Sequence, residues 1–224
     1  MRFRVMANED KKVLSYGDVV LWSSDVELLR GDNFLNDRVI EFFFAQLKAP
    51  YSYLLLPPAI SFWISQCSDT PTLLSIIEPL CLTERQVIML AVNDNEDVNM
   101  VGGGCHWSLL VYRRDLNKFQ HYDSMGGMNA RHARKLATTI QSFLGPDAAS
   151  ANFEEAWTPH QVNGYDCGVY VMAVAQVLCE AYASGIVGSE ALLREKVTPT
   201  AVMQLRAHVL HQIMSLAQEH MKPC

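Results

Sequence analysis

Residues 164–170 read GYDCGVY, with Cys167 between an acidic residue and a glycine and directly ahead of a long apolar run. A free cysteine is more often a small buried hydrophobe than a nucleophile. Thiol catalysis needs three further groups: a histidine to carry the proton, a residue that orients the histidine, and donors for the oxyanion of the tetrahedral intermediate. His106, Asp123 and Gln161 are of the right types to fill those roles.

These residues need elements that bring them together. Apolar, β-forming stretches over 106–112 and 119–123, separated by Arg114, Asp115, Leu116 and Asn117, predict a hairpin. If Arg113 and Lys118 pair at its closed end, Ser108 lies opposite Asp123, and His106 sits two places further along the same face. Diagonal neighbours of that kind are roughly 7–8 Å apart at the backbone, within reach of two side chains leaning together. A slip of one residue would place them on opposite faces. His121 is the competing histidine on that face. It lies two residues from Asp123 on one strand, where side chains stand parallel, and the diagonal geometry favours His106.

Gly164 and Gly168 bracket a turn feeding a helix that begins near Val169. A thiol at such a start feels the positive end of the helix, and a nearby imidazolium adds to the bias towards thiolate. Backbone N–H groups of the turn, with the Gln161 amide, can face a developing oxyanion. Asp166 would oppose the thiolate if it pointed inward and reads as a turn residue facing solvent. Cys105 and His106 point to opposite faces of a strand, and no second ligand pair stands at zinc spacing, so neither a metal site nor a cofactor is expected.

The remaining pattern is that of one α+β domain over residues 1–224, the first dozen forming an extension. Ser24 to Glu27 reads as an S-x-x-E capping box for a short helix stopped at Gly31. Asn36 or Asp37 caps a helix carrying Val39, Ile40, Phe43, Phe44 and Leu47, and QVIMLAV at 86–92 reads as a buried central strand. Asn129 caps a helix running to Phe143, and Thr198-Pro199 opens a last one with Val202, Leu205, Val209, Ile213 and Leu216 along a stripe. Half of the 224 residues are hydrophobic, enough for a substantial core, and a net charge of −6 argues against a nucleic-acid binder. Six cysteines without a C-x-x-C pair read as reduced thiols of an intracellular protein. No signal peptide is recognisable, and the 168–187 stretch, interrupted by Gln176 and Glu180, reads as a buried helix rather than a membrane span.

The order His…Asp…Gln…Cys, carried by GCHWSLLVY, HYDS and QVNGYDCGVY, resembles the ubiquitin-like-protein-specific cysteine proteases, which include the SUMO proteases. FLNDRVIEFFF at 34–44 extends the likeness. AVNDNEDVNMVGGGCHWSLLVY, VLSYGDVVL and EPLCL are similar to the deneddylase branch. The resemblance implies a papain-like α+β fold with a mixed sheet packed by helices, acting as a monomer in cytoplasm or nucleus. It implies His106 as general base, Asp123 as its orienting carboxylate, Cys167 as nucleophile and Gln161 as oxyanion donor. Trp107 would form one wall of a tunnel for a Gly-Gly tail, and Phe34, where the family usually has tryptophan, the other. Asn93, Asp94, Asn95, Gly103 and Gly104 would belong to a mobile flap over residues 93–104. The implied activity is cleavage after the C-terminal Gly-Gly of a Nedd-type modifier, in precursors and isopeptide-linked conjugates. A protease for SUMO, ubiquitin or several modifiers, an acyl transferase and a modifier-binding adaptor are the alternatives.

Overall fold

In the computed structural model, which describes residues 10–100, 102–186 and 189–220, the QVIMLAV run lies inside a five-stranded mixed sheet. The elements in chain order are β1 (Lys12–Tyr16), β2 (Val19–Trp22), α1 (Ser23–Glu27), α2 (Asp37–Gln46), β3 (Tyr53–Leu56), α3 (Pro58–Gln66), α4 (Thr70–Ile77), β4 (Val87–Asn93), β5 (Trp107–Arg113) and β6 (Lys118–Tyr122). They continue with α5 (Ala130–Gln141), β7 (Asn152–Glu155), α6 (Cys167–Ala183), α7 (Glu190–Lys196) and α8 (Pro199–His220). The large sheet is ordered β3-β4-β5-β6-β7, with β1 and β2 forming a separate hairpin. β4, β5 and β6 run antiparallel in sequence, while β3 and β7 join the two edges in parallel.

Helices cover both faces of this sheet, which is why its central strands carry no polar alternation. Val87, Met89 and Ala91 of β4 and Leu109 and Val111 of β5 pack with α2 and α6. Ile88, Leu90 and Val92, with Leu110 and Tyr112, pack on the other side with Leu136 and Ile140 of α5. α6 is buried along nearly its whole length, so its apolar run serves the core. No helix among the described residues is long and apolar enough to cross a membrane.

The first expected cap differs. α1 begins at Ser23 with Trp22 as its cap residue, two residues earlier than a cap at Ser24 places it: Asp25 accepts the Trp22 N–H at 2.8 Å, and Ser24 Oγ turns instead to Asp10. The buried Asp25 carboxylate also meets Asn36 Nδ2 and Arg38, so it competes successfully with Glu27 for the capping role. Asn36 caps α2 as expected, accepting from the Val39 N–H. Of the extension expected over residues 1–12, residues 1–9 lie outside the described residues, and Lys12 already starts β1.

Candidate active site

The β5–β6 hairpin adopts the register on which the catalytic reading depends, with Arg113 opposite Lys118 and Leu109 opposite Tyr122. Just beyond the paired segment, His106 Nε2 and Asp123 Oδ1 meet at 2.7 Å, both residues buried. His121 has other partners. Its Nδ1 is 2.7 Å from Glu155 Oε2 and its Nε2 2.9 Å from Ser108 Oγ, and the ring is wholly buried. Burial keeps this ring neutral against the pull of Glu155, so Nδ1–H donates to the carboxylate and Nε2 accepts from the serine.

Asp123 is held by more than the histidine. Oδ1 also accepts the Met125 N–H, Oδ2 accepts the Asn129 N–H, and its own N–H donates to Thr158 Oγ1. Burial alone would raise this carboxyl. The bonds from His106, Asn129 and Met125 outweigh it and hold the group below its usual 3.8. For His106, burial disfavours the charged ring, but Asp123 and Cys167 reverse that and raise it to about 9. Nδ1 of the same ring closes no hydrogen bond of ordinary length. Cys167 is near enough to bias its protonation, so the free nitrogen is the one available for a proton from sulfur.

Cys167 is the first residue of α6, two residues earlier in the helix than the sequence predicts. The first intrahelical bond to form there runs from the Tyr170 N–H to the Asp166 carbonyl, which leaves the N–H groups of the first turn without helical partners. Gly168 lets this helix start approach the Phe34 segment: a Cβ there would lie 3.0 Å from Leu35 Cβ. Gly164 has open space around it, and the turn before the helix is organised by Asn163, whose Oδ1 accepts the N–H groups of Tyr165 and Asp166.

Gln161 is fixed through both ends of its amide. Oε1 accepts from Ser124 Oγ at 2.8 Å, and Nε2 donates to the Asn163 carbonyl at 2.6 Å. An NH₂ group carries two N–H donors, and the bond to Asn163 uses one of them. Trp107 donates its indole N–H to the Leu35 carbonyl at 2.8 Å, tying one expected tunnel wall to the segment carrying the other. Phe34 itself is 47% exposed, whereas Cys167 and His106 are sealed from solvent.

The described residues of the 93–104 loop are bonded to one another and to the histidine. Asp94 Oδ1 accepts the N–H groups of Cys105 and His106, and Asn93 Nδ2 donates to the His106 carbonyl. Asn95 bridges to Asn93 and to the Met100 carbonyl. At Gly104, φ is +81° and a Cβ would overlap the Asn93 side chain; a Cβ at Gly103 would crowd Asn95 at 2.7 Å. These glycines are required by close packing and backbone sign rather than by hinge freedom alone.

Asp166 corrects the sequence reading. It is 7% exposed, with Oδ1 2.7 Å from Arg206 Nη2 and Oδ2 accepting from Asn163 Nδ2 at 2.7 Å. An arginine forty residues downstream supplies the countercharge that an inward carboxylate needs. Asn129 was legible only as a helix cap, yet its side chain makes no cap. It is buried and donates to the carbonyls of Val92 and His106, joining β4 to the histidine. Ser124, Thr158 and Asn163 likewise gave no signal beyond being ordinary loop residues.

Comparison with known proteins bears on this geometry. The model of the Ulp1 protease family, C-terminal catalytic domain, matches residues 82–199. The chain is 43% identical over 220 residues to NEDD8-specific protease 1 of Arabidopsis thaliana, spanning 95% of this chain and 96% of that protein. It is 36% identical over 216 residues to sentrin-specific protease 8 of Homo sapiens, spanning 94% of this chain and 100% of that one. The X-ray structure of the C-terminal Ulp1 protease domain in complex with Smt3, the yeast ortholog of SUMO, superposes with a TM-score of 0.70 at 19% identity, covering 95% of this chain and 90% of that chain. This last likeness is one of fold.

Proposed function

The chain belongs to the Ulp1 protease family, and on that premise we propose that it cleaves after the C-terminal Gly-Gly of a Nedd-type ubiquitin-like modifier, in precursors and in isopeptide-linked conjugates. The observation that carries the chemistry is the buried His106–Asp123 pair at 2.7 Å, set beside Cys167 at the start of α6. The modifier is read from the 43% and 36% identical relatives, whose names are those of a NEDD8-specific and a sentrin-specific protease.

His106, raised to about 9, supplies the imidazolium beside which the Cys167 sulfur reacts as a thiolate. The thiolate attacks the carbonyl of the second glycine, and the oxyanion takes hydrogen bonds from the N–H groups at the helix start and from Gln161 Nε2. His106 then gives its proton to the leaving amine, the C–N bond breaks, and a thioester remains on Cys167. Water, losing a proton to His106, hydrolyses that thioester. Asp123 stays ionised throughout and stabilises the imidazolium.

Trp107 and Phe34 line the approach for the tail, and only glycines are thin enough to pass between aromatic walls near the sealed thiol. Asn93, Asp94, Asn95, Gly103 and Gly104 hold the loop at its rim. The catalytic unit is one domain through the length of the chain, and its free cysteines suit the reducing cytoplasm or nucleus. The test is hydrolysis of a panel of modifiers bearing a C-terminal fluorophore. Preference for the Nedd-type member supports the reading, whereas faster turnover of SUMO or ubiquitin overturns the modifier assignment.

A further inference from the structure

Resting on Cys167 as the nucleophile, we infer that Arg206 of α8 is a positioning residue for it, neutralising Asp166 and clamping the nucleophile's turn to the Phe34 segment. The stretch matched by the family model ends at residue 199, so Arg206 lies beyond it.

Arg206 is 7% exposed, and nearly every donor of its guanidinium is used. Nε donates to Asp166 Oδ1 at 2.9 Å, Nη1 to the Leu28 carbonyl at 2.8 Å, and Nη2 to the Asn33 carbonyl at 3.0 Å, with a longer contact of 3.5 Å to the Tyr165 carbonyl. Two chain segments far apart in sequence, residues 28–33 and 165–166, converge on one planar fork. Asn33 precedes Phe34, and the Leu35 carbonyl holds Trp107, so the same arginine that fixes the residue before Cys167 also fixes the mouth of the tail's path.

The electrostatic consequence is direct. An unpaired buried carboxylate at residue 166 would stand next to the thiolate and oppose it, because like charges disfavour each other's ionised forms. Paired with Arg206, Asp166 can keep its bonds to Asn163 and Arg206 and hold the turn without that penalty. The other titratable groups about Cys167 are His106 with Asp123 behind it, Cys105, Tyr122 and Tyr170. None of them is placed to cancel Asp166. Lysine at 206 could retain the charge but not the fork that spans Asp166, Leu28 and Asn33 together.

The experiment compares the whole chain with Arg206→Met, Arg206→Lys and the double variant Asp166→Asn/Arg206→Met, each checked for a wild-type circular dichroism spectrum. Two readouts are taken: the rate at which iodoacetamide alkylates Cys167 at neutral pH, followed by mass analysis of its peptide, and kcat and KM on the fluorogenic modifier. Alkylation requires no modifier, so an error in the modifier assignment leaves that readout intact. Arg206→Met should slow alkylation by about tenfold or more, and removing the stranded carboxylate in the double variant should restore it to within about threefold of wild type. Arg206→Lys should alkylate near the wild-type rate yet lose kcat with little change in KM. A folded Arg206→Met that alkylates normally overturns the inference, as does a double variant that stays slow, since the loss of a merely structural arginine would not be rescued by adding Asp166→Asn. If Arg206→Met gives no folded chain, Arg206→Lys decides, and an unchanged kcat there counts against the inference.

Discussion

The burial of His106 would by itself leave an uncharged, poorly basic ring. It is Asp123, kept ionised by two backbone N–H groups, that makes it a cation at neutral pH. The stability consequence has a defined sign. His106 is raised from 6.5 to about 9, so the pair's stabilisation is complete below pH 6.5 and is lost as the pH rises through about 9. Asp123 is depressed below 3.8, so its share is present above pH 3.8 and is lost as the pH falls through its lowered value. Thermal melts of the wild type and Asp123→Asn should therefore differ most at about pH 5–6 and converge above about pH 9. A difference that stays constant across that range would separate the pair from the titration. Gln161→Ala removes a side-chain oxyanion donor and should cost about 10²–10³-fold in kcat with KM little changed. Ser124→Ala, which releases the far end of the same amide, should cost less. Steady-state kinetics at one pH checks both, and a normal rate for Gln161→Ala would remove it from the mechanism.

The hairpin β5–β6 and the start of α6 place these atoms, and each was legible to a different degree. The hairpin's register followed from the closing pair Arg113 and Lys118, because period-two alternation leaves one choice once the turn is fixed. The helix after Cys167 was plain from its apolar run, though not its first residue. Short elements were missed: the β1–β2 hairpin, β3, α3, α4 and β7 are four to nine residues long, and two of the strands pair in parallel with partners remote in sequence. Their stability comes from tertiary packing, which local pattern does not record. Asp166 and Asn129 were misread for the same reason, since the partners that bury them, Arg206 and the carbonyls of Val92 and His106, lie far along the chain. Gly168 shows how finely α6 is seated. Gly168→Ala puts a methyl 3.0 Å from Leu35 Cβ and should destabilise the fold by about 1–3 kcal/mol. It should also lower kcat disproportionately, because the displaced atoms include Cys167. Urea melts alongside kinetics test this, and a variant with wild-type stability and rate would show that the helix start can shift freely.

Across the molecule, the site draws on residues from 33 to 206, with the sheet supplying the histidine and carboxylate, α6 the thiol, and α8 the arginine that holds the thiol's turn. Such a site is assembled only when both faces of the sheet are packed, since α6 lies on one face and α5, whose N-terminal Asn129 grips the histidine strand, on the other. On the proposed function, a folded modifier is held mainly by contacts away from the thiol, so Cys167→Ala should abolish cleavage while still binding the modifier. The most direct test of the central claim uses a Nedd-type modifier carrying a C-terminal electrophile in place of its last carboxylate. The wild-type chain should form one covalent adduct, mapped to the Cys167 peptide, faster than with the matching SUMO or ubiquitin probes, and Cys167→Ala should form none. An adduct at another cysteine, or no adduct with any modifier, would contradict it.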